Sequence, residues 1–357
     1  MKKIRISIYN AKSGMKLATD IFSVAGQMLM PADTELTDET IERLYAYSIP
    51  FITIYEESDE EVTPAPSSYT DRITNSPEFK QFQSDFNTSL GDVNQSLQHV
   101  VTSSDNIDVD DLLEQTSQLL TNTSNTIGVL DMINHLRSYD DSTFAHSLNV
   151  SIICNVFGQW LNMSKPDLEA LTIAGYLHDL GKLLVPAEII RKPGRLTEEE
   201  FNIIKQHPYL GYKHVENTNL DPRIKNAILM HHEKCDGSGY PSNLTLQQID
   251  PFARIIAIAD VYDAMTASRT YREGICPFHV IRMFEAEGYQ NYDVQYLLPF
   301  LKGIIQSYIN SYVRLTDGRV GKIIFINNHS LSRPIVNVNN VFVDLSTTPD
   351  LTIEEIL

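Results

Sequence analysis

The chain has little cysteine, little positive charge and no long apolar run, and each scarcity removes a class of function. Three cysteines in 357 residues, Cys154, Cys235 and Cys276, follow no spaced pattern, so no disulfide framework is expected and a reducing compartment is. Cys235 stands close to His231 and His232 but reads as a spectator. Lys and Arg number 28 against 46 Asp and Glu, a formal net charge of −18. Binding to a DNA or RNA duplex or to an anionic membrane needs clustered cations, so neither is expected as a partner. An anionic substrate would have to find local positive charge, from bound divalent metals and a few placed basic residues. No run approaches the ~18 apolar residues of a membrane span, and the opening Met-Lys-Lys-Ile-Arg leads into no apolar targeting segment. The expected location is the cytoplasm. No internal repeat is evident.

What is present is a chain long enough for two or three domains, with 42% hydrophobic residues to build their cores. Residues 1–57 alternate short apolar strands with turns (Ile4 to Ile8, Lys12 to Lys16, Asp20 to Ser23, Gln27 to Met30). A helix opening at Thr37 and a strand from Phe51 to Tyr55 follow. Ile41, Leu44 and Tyr45 share one face of that helix. This predicts a small β-rich N-terminal domain, regulatory or merely structural. Residues 58–78 are acidic, then rich in Ser, Thr and Pro, and read as a linker. Residues 79–124 read as a helical connector. Phe79, Phe82, Phe86, Leu90, Val93, Leu97 and Val100 recur at steps of three and four, a seam that favours helix pairing. A second helix runs from Val109 to about Leu136. Packing within the chain is the preferred reading, with a homodimer contact through the connector as the second.

Residues 125–311 are predicted to be all helical. Ser164 with Pro166 and Asp167 opens one helix, Thr197 to Glu200 is a capping box for the helix expected to carry His207, and Asp221-Pro222 and Asp250-Pro251 each place a cap before proline. Residues 312–357 read as a small antiparallel sheet of hairpins (Val313 to Leu315, Val320 to Ile326, Pro334 to Val338, Val341 to Leu345), with a turn at Asp317-Gly318. It is read as a packing or dimer-supporting appendage. The fold class is therefore mainly α, with small β-containing regions at both ends.

The chemistry centres on His178-Asp179-Leu-Gly-Lys182, which closes the apolar run Leu171 to Leu177. That run reads as a buried helix ending at Gly181. Unpaired polar groups in an apolar interior cost roughly 2–7 kcal/mol, and an ionised carboxylate more, so a metal cation is a natural partner for the pair. Alone, the pair also fits a capped helix end with a satisfied histidine. It is not alone: His146 precedes it, and His207, His231-His232-Glu233, Asp236-Gly-Ser-Gly-Tyr-Pro241 and Asp260 follow. Mixed imidazole and carboxylate ligands suit iron, manganese or zinc better than magnesium or calcium. Seven candidate ligands exceed one ion's needs and fit two metals about 3.5–4 Å apart sharing a carboxylate.

These motifs, in this order, resemble the HD-GYP family, bacterial metal-dependent phosphodiesterases of the HD superfamily that hydrolyse cyclic di-GMP. The resemblance covers about residues 125 to 310 and implies an all-α HD-GYP domain. It implies one metal on His146, His178, Asp179 and Asp260, and a second on His207, His231 and His232 with Asp179 as the bridge. Iron is the first choice for these two divalent ions, manganese the alternative and zinc the third. The nucleophile would be a bridging hydroxide attacking phosphorus in line with the ribose 3′-oxygen, giving linear pGpG, with the further cut to GMP left open. Asp179 and Lys182 would be catalytic, with the Lys182 ammonium neutralising a phosphate oxygen or assisting the leaving group. Arg269 and Arg272 would clamp phosphate. Tyr240 would border the substrate or pack its loop.

Two departures stand out. Some members carry a Glu four residues before the first histidine that recruits a third metal, and Ser142 stands there in this chain. The segment usually written Gly-Thr-x-Phe-Asp appears as Gly288-Tyr-Gln-Asn-Tyr-Asp293, one residue longer, which leaves its local geometry open. Two other readings compete with an active phosphodiesterase. One is a catalytically weak cyclic di-GMP receptor signalling through its flanking domains, expected to have lost metal ligands. The other is an HD-type hydrolase of another nucleotide, disfavoured by the complete Gly239-Tyr240-Pro241.

Overall fold

In a computed structural model the chain divides into two compact units, Met1–Pro66 and Ser67–Leu357. The structure describes residues 3–8, 11–22, 28–46, 49, 51–55, 73–102, 107–121, 126–136, 143–190, 192, 194–267 and 275–357. Most of the predicted linker, and with it Ser142, Arg269 and Arg272, lies outside the described residues.

In the first unit the predicted apolar stretches become β1 (Lys3–Ser7), β2 (Ile21–Phe22), β3 (Met28–Met30) and β4 (Phe51–Tyr55), with a helix at Asp38–Ala46. β1 pairs antiparallel with β4, and β2 with β3. Lys12 to Lys16 forms a turn at Ser13-Gly14, followed by an isolated bridge from Lys16 to Glu35. Gly14 takes φ +93° there, and a residue in that region cannot continue a strand. Leu17, Leu36, Leu44, Ile52 and Ile54 close the unit's own core.

The second unit is mainly helical. The seam is borne out: Phe79, Phe82, Phe86, Val93, Leu97 and Val100 are buried along the helix Pro77–Thr102. They join the same core as the site-bearing helices, so the packing is within the chain. Where one helix was expected from Val109 to Leu136, two are described, Val109–Thr121 and Thr126–Leu136. The helix Thr143–Trp160 is buried on almost every side, which is why its apolar residues recur without a polar stripe. It packs on Lys165–Leu177, Pro251–Thr266 and Val294–Ser307. The caps at Ser164, Thr197, Asp221 and Asp250 all form.

Two helix boundaries differ from expectation. The capping-box helix stops at Ile204, and His207 opens a separate helix, His207–Val215. Pro208 explains the break, because it has no N–H for Ile204 and its ring crowds that carbonyl. The HD helix ends at Leu177, not at Gly181, and a 3₁₀ turn, Leu180–Leu184, follows. Gly181 serves close approach instead: a Cβ there would stand 1.9 Å from the His207 carbonyl oxygen and 2.7 Å from the Gly211 nitrogen.

A π-helical turn, Phe284–Gly288, precedes the segment that leads to Asp293. Asp293 then caps Val294–Ser307 and accepts from Arg254 Nη1 at 3.1 Å. At the C-terminus β5 (Tyr312–Leu315), β6 (Val320–Phe325), β7 (Ile335–Val338), β8 (Val341–Asp344) and β9 (Ile353–Ile356) form one sheet in the order β8-β7-β6-β5-β9. β9 was not expected. Its Ile353-Glu-Glu-Ile356 breaks strand alternation, and an irregularity opposite Arg314 and Leu315 is what lets it pair with β5. Val313, Leu315, Ile323, Val336 and Ile353 complete the core they share with the helices.

Candidate metal centre

Among the described residues three helices end at the site, each with a histidine at or just beyond its end. His178 and His231 are the C-terminal caps of Lys165–Leu177 and Pro222–Met230, and His207 stands three residues beyond Ile204. The last turn of a helix leaves carbonyls without partners, and these rings take them. His178 Nδ1 donates to Gly175 O at 2.7 Å, His207 Nδ1 to Ile204 O at 2.8 Å and His231 Nδ1 to Ile228 O at 2.9 Å. A carbonyl can only accept, so each neutral ring carries its proton on Nδ1 and turns a bare Nε2 inward.

Those bare nitrogens meet other acceptors. His207 Nε2 lies 3.2 Å from His231 Nε2 and 3.1 Å from Asp179 Oδ1. His178 Nε2 and Asp179 Oδ1 are buried without any hydrogen-bond partner. Acceptors packed face to face at 0–1% side-chain exposure are unfavourable unless a cation lies among them. The donor set thus fits a divalent metal. Among the described residues two groups have ligand atoms mutually within 4.8 Å: Asp179, His207, His231 and His232, and His146, His178 and Asp260.

Asp179 joins the two. Its Oδ1 faces His207 at 3.1 Å and His231 at 3.7 Å, while its Oδ2 faces His178 at 3.4 Å and His146 at 3.5 Å. Lys182 Nζ donates to Oδ2 at 2.5 Å from one 3₁₀ turn away. Burial raises the Asp179 pKa, but Lys182 and then His178 outweigh it and hold the carboxyl well below its ordinary range. Burial lowers His231 to about 4, against the pull of Asp179. Burial, then the neighbouring His231, keeps His232 well below its usual value. Both rings therefore offer lone pairs at neutral pH.

His146 differs. It lies in the first turn of its helix, where Nδ1 meets Asp263 Oδ2 at 2.8 Å and Nε2 meets Asp260 Oδ1 at 3.0 Å. Burial lowers its pKa, but hydrogen bonds to Asp260 and Asp263 outweigh that and raise it to about 10. Asp263 was missed by the sequence reading, although it stands three residues after Asp260 and so on the same helical face. Glu233 was also passed over. Buried, it accepts from Ser242 N at 2.6 Å and Leu244 N at 2.9 Å, which folds the Tyr240 loop back on the histidines. Gly239 permits this, since a Cβ there would lie 2.4 Å from Glu233 Cα. The Tyr240 ring then lies over His232, centroids 4.7 Å apart and 30° between planes. Cys235 N donates to Asn291 O at 2.9 Å, so the segment after the π turn braces the same loop. Among the described residues no helix is long and apolar enough to cross a membrane.

A family model described as HD domain matches residues 109–295, just over half of the chain. Curated relatives agree in kind. A cyclic di-GMP phosphodiesterase of Pseudomonas aeruginosa is 35% identical over 204 residues, covering 57% of this chain and 49% of that protein. A cyclic di-GMP phosphodiesterase of Thermotoga maritima is 34% identical over 178 residues, 49% of this chain and 48% of the other. A 3′3′-cGAMP-specific phosphodiesterase of Vibrio cholerae is 35% identical over 156 residues, 44% of this chain and 36% of the other. The chain spans about half the length of these relatives or less. The helix-end histidines, the shared aspartate and the matched span lead to one assignment: this chain belongs to the HD domain family.

Proposed function

We propose that the chain is a metal-dependent phosphodiesterase that opens cyclic di-GMP to linear pGpG. The observation that carries this reading is the division of Asp179, whose two oxygens face different histidine groups. In this reading His146, His178, Asp179 and Asp260 hold one divalent ion, and Asp179, His207, His231 and His232 hold the other. Iron is the first choice and manganese the second. Bound there, two such ions supply Lewis acidity that lowers the pKa of water and neutralises charge on phosphoryl oxygens.

The chain's own residues do the rest. His178, His207 and His231 present unprotonated nitrogens fixed by their backbone hydrogen bonds. Lys182 holds its ammonium beside Asp179, where it can receive a phosphate oxygen. Arg269 and Arg272, which lie outside the described residues, clamp phosphate. Tyr240, over His232, narrows the approach and excludes water. With Ser142 in place of a carboxylate, no third ion is expected, and the cut to pGpG should outrun the cut to GMP. The N-terminal β-containing unit is then a regulatory or structural module, and the C-terminal sheet a supporting appendage.

A second reading, hydrolysis of 3′3′-cGAMP, is favoured by the relative named for that substrate, which is as similar in identity as the first. Anaerobic purification, elemental analysis and incubation with each cyclic dinucleotide, followed by chromatography, test both readings. Two ions per chain with faster loss of cyclic di-GMP is the expected result. A metal-bearing protein that cuts neither nucleotide would refute the enzyme reading and favour a receptor.

A further inference from the structure

The histidines of the site are oriented in two different ways. His178, His207 and His231 are each held by a carbonyl three residues back in the chain. His146 is held through its Nδ1 by Asp263, from a helix 117 residues further on. Asp263 is 2% exposed, and its Oδ2 is the atom that meets the ring. Helical spacing puts Asp260 and Asp263 on one face of Pro251–Thr266, so one residue reaches Nε2 and the other Nδ1 of the same imidazole.

We propose, resting on the metal reading above, that Asp263 is a positioning residue that sets the affinity of the ion at His146, His178 and Asp260 and leaves the other ion unaffected. A carboxylate accepting from Nδ1–H fixes the tautomer that turns Nε2 to a metal, orients the ring and makes it a stronger donor. The other group receives no such support from Asp263: His207 and His231 are held by the carbonyls of Ile204 and Ile228, and His232 lies under the Tyr240 ring.

The test uses the full chain as unmodified protein, Asp263→Asn, Asp263→Ala, His146→Ala and the double variant of the last two. Each is stripped of metal and titrated with Mn²⁺, with free Mn²⁺ followed by electron paramagnetic resonance and bound ions counted by elemental analysis. Thermal melting of the stripped proteins monitors the fold. Both Asp263 variants should weaken one ion by roughly 10–100-fold, the usual scale for losing such a partner, while the second keeps its affinity. His146→Ala should weaken the same ion, and adding Asp263→Ala should cause no further loss. Unchanged binding of both ions in Asp263→Asn, or equal weakening of both, would overturn the inference. If Asp263→Ala does not fold, Asp263→Asn, of nearly the same shape, still decides. An unmodified chain that binds no Mn²⁺ would refute the metal reading and this inference with it. Two ions bound alike by the unmodified and Asp263→Asn proteins would refute the inference alone.

Discussion

The floor of the site and its rim are built on different principles. The floor, His178, His207, His231 and Asp179, is almost wholly buried, and its histidines are oriented by carbonyls at the ends of the helices that precede them. The rim, His146 at 18% side-chain exposure, His232 at 23% and Lys182 at 25%, is oriented by other side chains: Asp263, Tyr240 and Asp179. A floor fixed by backbone geometry should fail as a whole or not at all. A rim fixed by single side-chain partners can be detuned one residue at a time.

The strongest test of that contrast is the floor's shared carboxylate. Asp179→Ala should lose both ions and at least about a thousandfold in turnover, on the order of 4 kcal/mol of barrier. Elemental analysis and product chromatography would measure it, and a fully metallated, active variant would break the assignment. Next comes the backbone itself. Gly181→Ala forces a methyl against the His207 carbonyl, so overpacking should cost roughly 1–3 kcal/mol of stability, seen as a lower urea midpoint together with lost metal. An unchanged midpoint would mean that the floor does not depend on this close approach. On the rim, Lys182→Ala should keep both ions and reduce turnover by about 10–100-fold, since a charge-assisted bond contributes roughly 1.5–3 kcal/mol. Metal loss comparable to that of Asp179→Ala would move Lys182 to the floor. Arg269→Ala and Arg272→Ala should have the smallest effect, a rise in KM of about tenfold with metals retained. Loss of metal in either would show a structural arginine instead of a clamp.

The same division explains what could be read from the sequence. His178, Asp179, His207, His231 and His232 stand out because each lies at or just after a helix end that caps, prolines or apolar runs announce. The structure gathers Asp179, His207, His231 and His232 in one group, and His178 with His146 and Asp260 in the other. Asp263 shows in the sequence only as a second acid on the helical face of Asp260; its pairing with His146 across 117 residues is what no local pattern encodes. Gly181 was read as a helix stop because glycine often ends helices, whereas here the constraint is the neighbouring helix. The helical core followed from its periodicity. β9 did not, because its two isoleucines are three apart and pair only through an irregular register. The lengthened segment before Asp293 was visible, but the π turn at Phe284–Gly288 that precedes it was not, because no residue pattern marks that hydrogen bonding.

The long reach from His146 to Asp263 also sets an order in time. His207 and His231 are 24 residues apart in the chain, His146 and Asp263 117, and closing the longer span costs more entropy before any contact repays it. The half of the site around His207 and His231 should therefore assemble first during refolding, and the half around His146 only when the Pro251–Thr266 helix docks. Refolding with Mn²⁺ present should give two uptake steps, the later one coinciding with recovery of native fluorescence from Trp160, on the same helix as His146. A single uptake step preceding that recovery would contradict the sequence of events. Full metallation then marks the docking of Pro251–Thr266: a chain stalled before that step can hold at most one ion and lacks the second needed for the proposed chemistry.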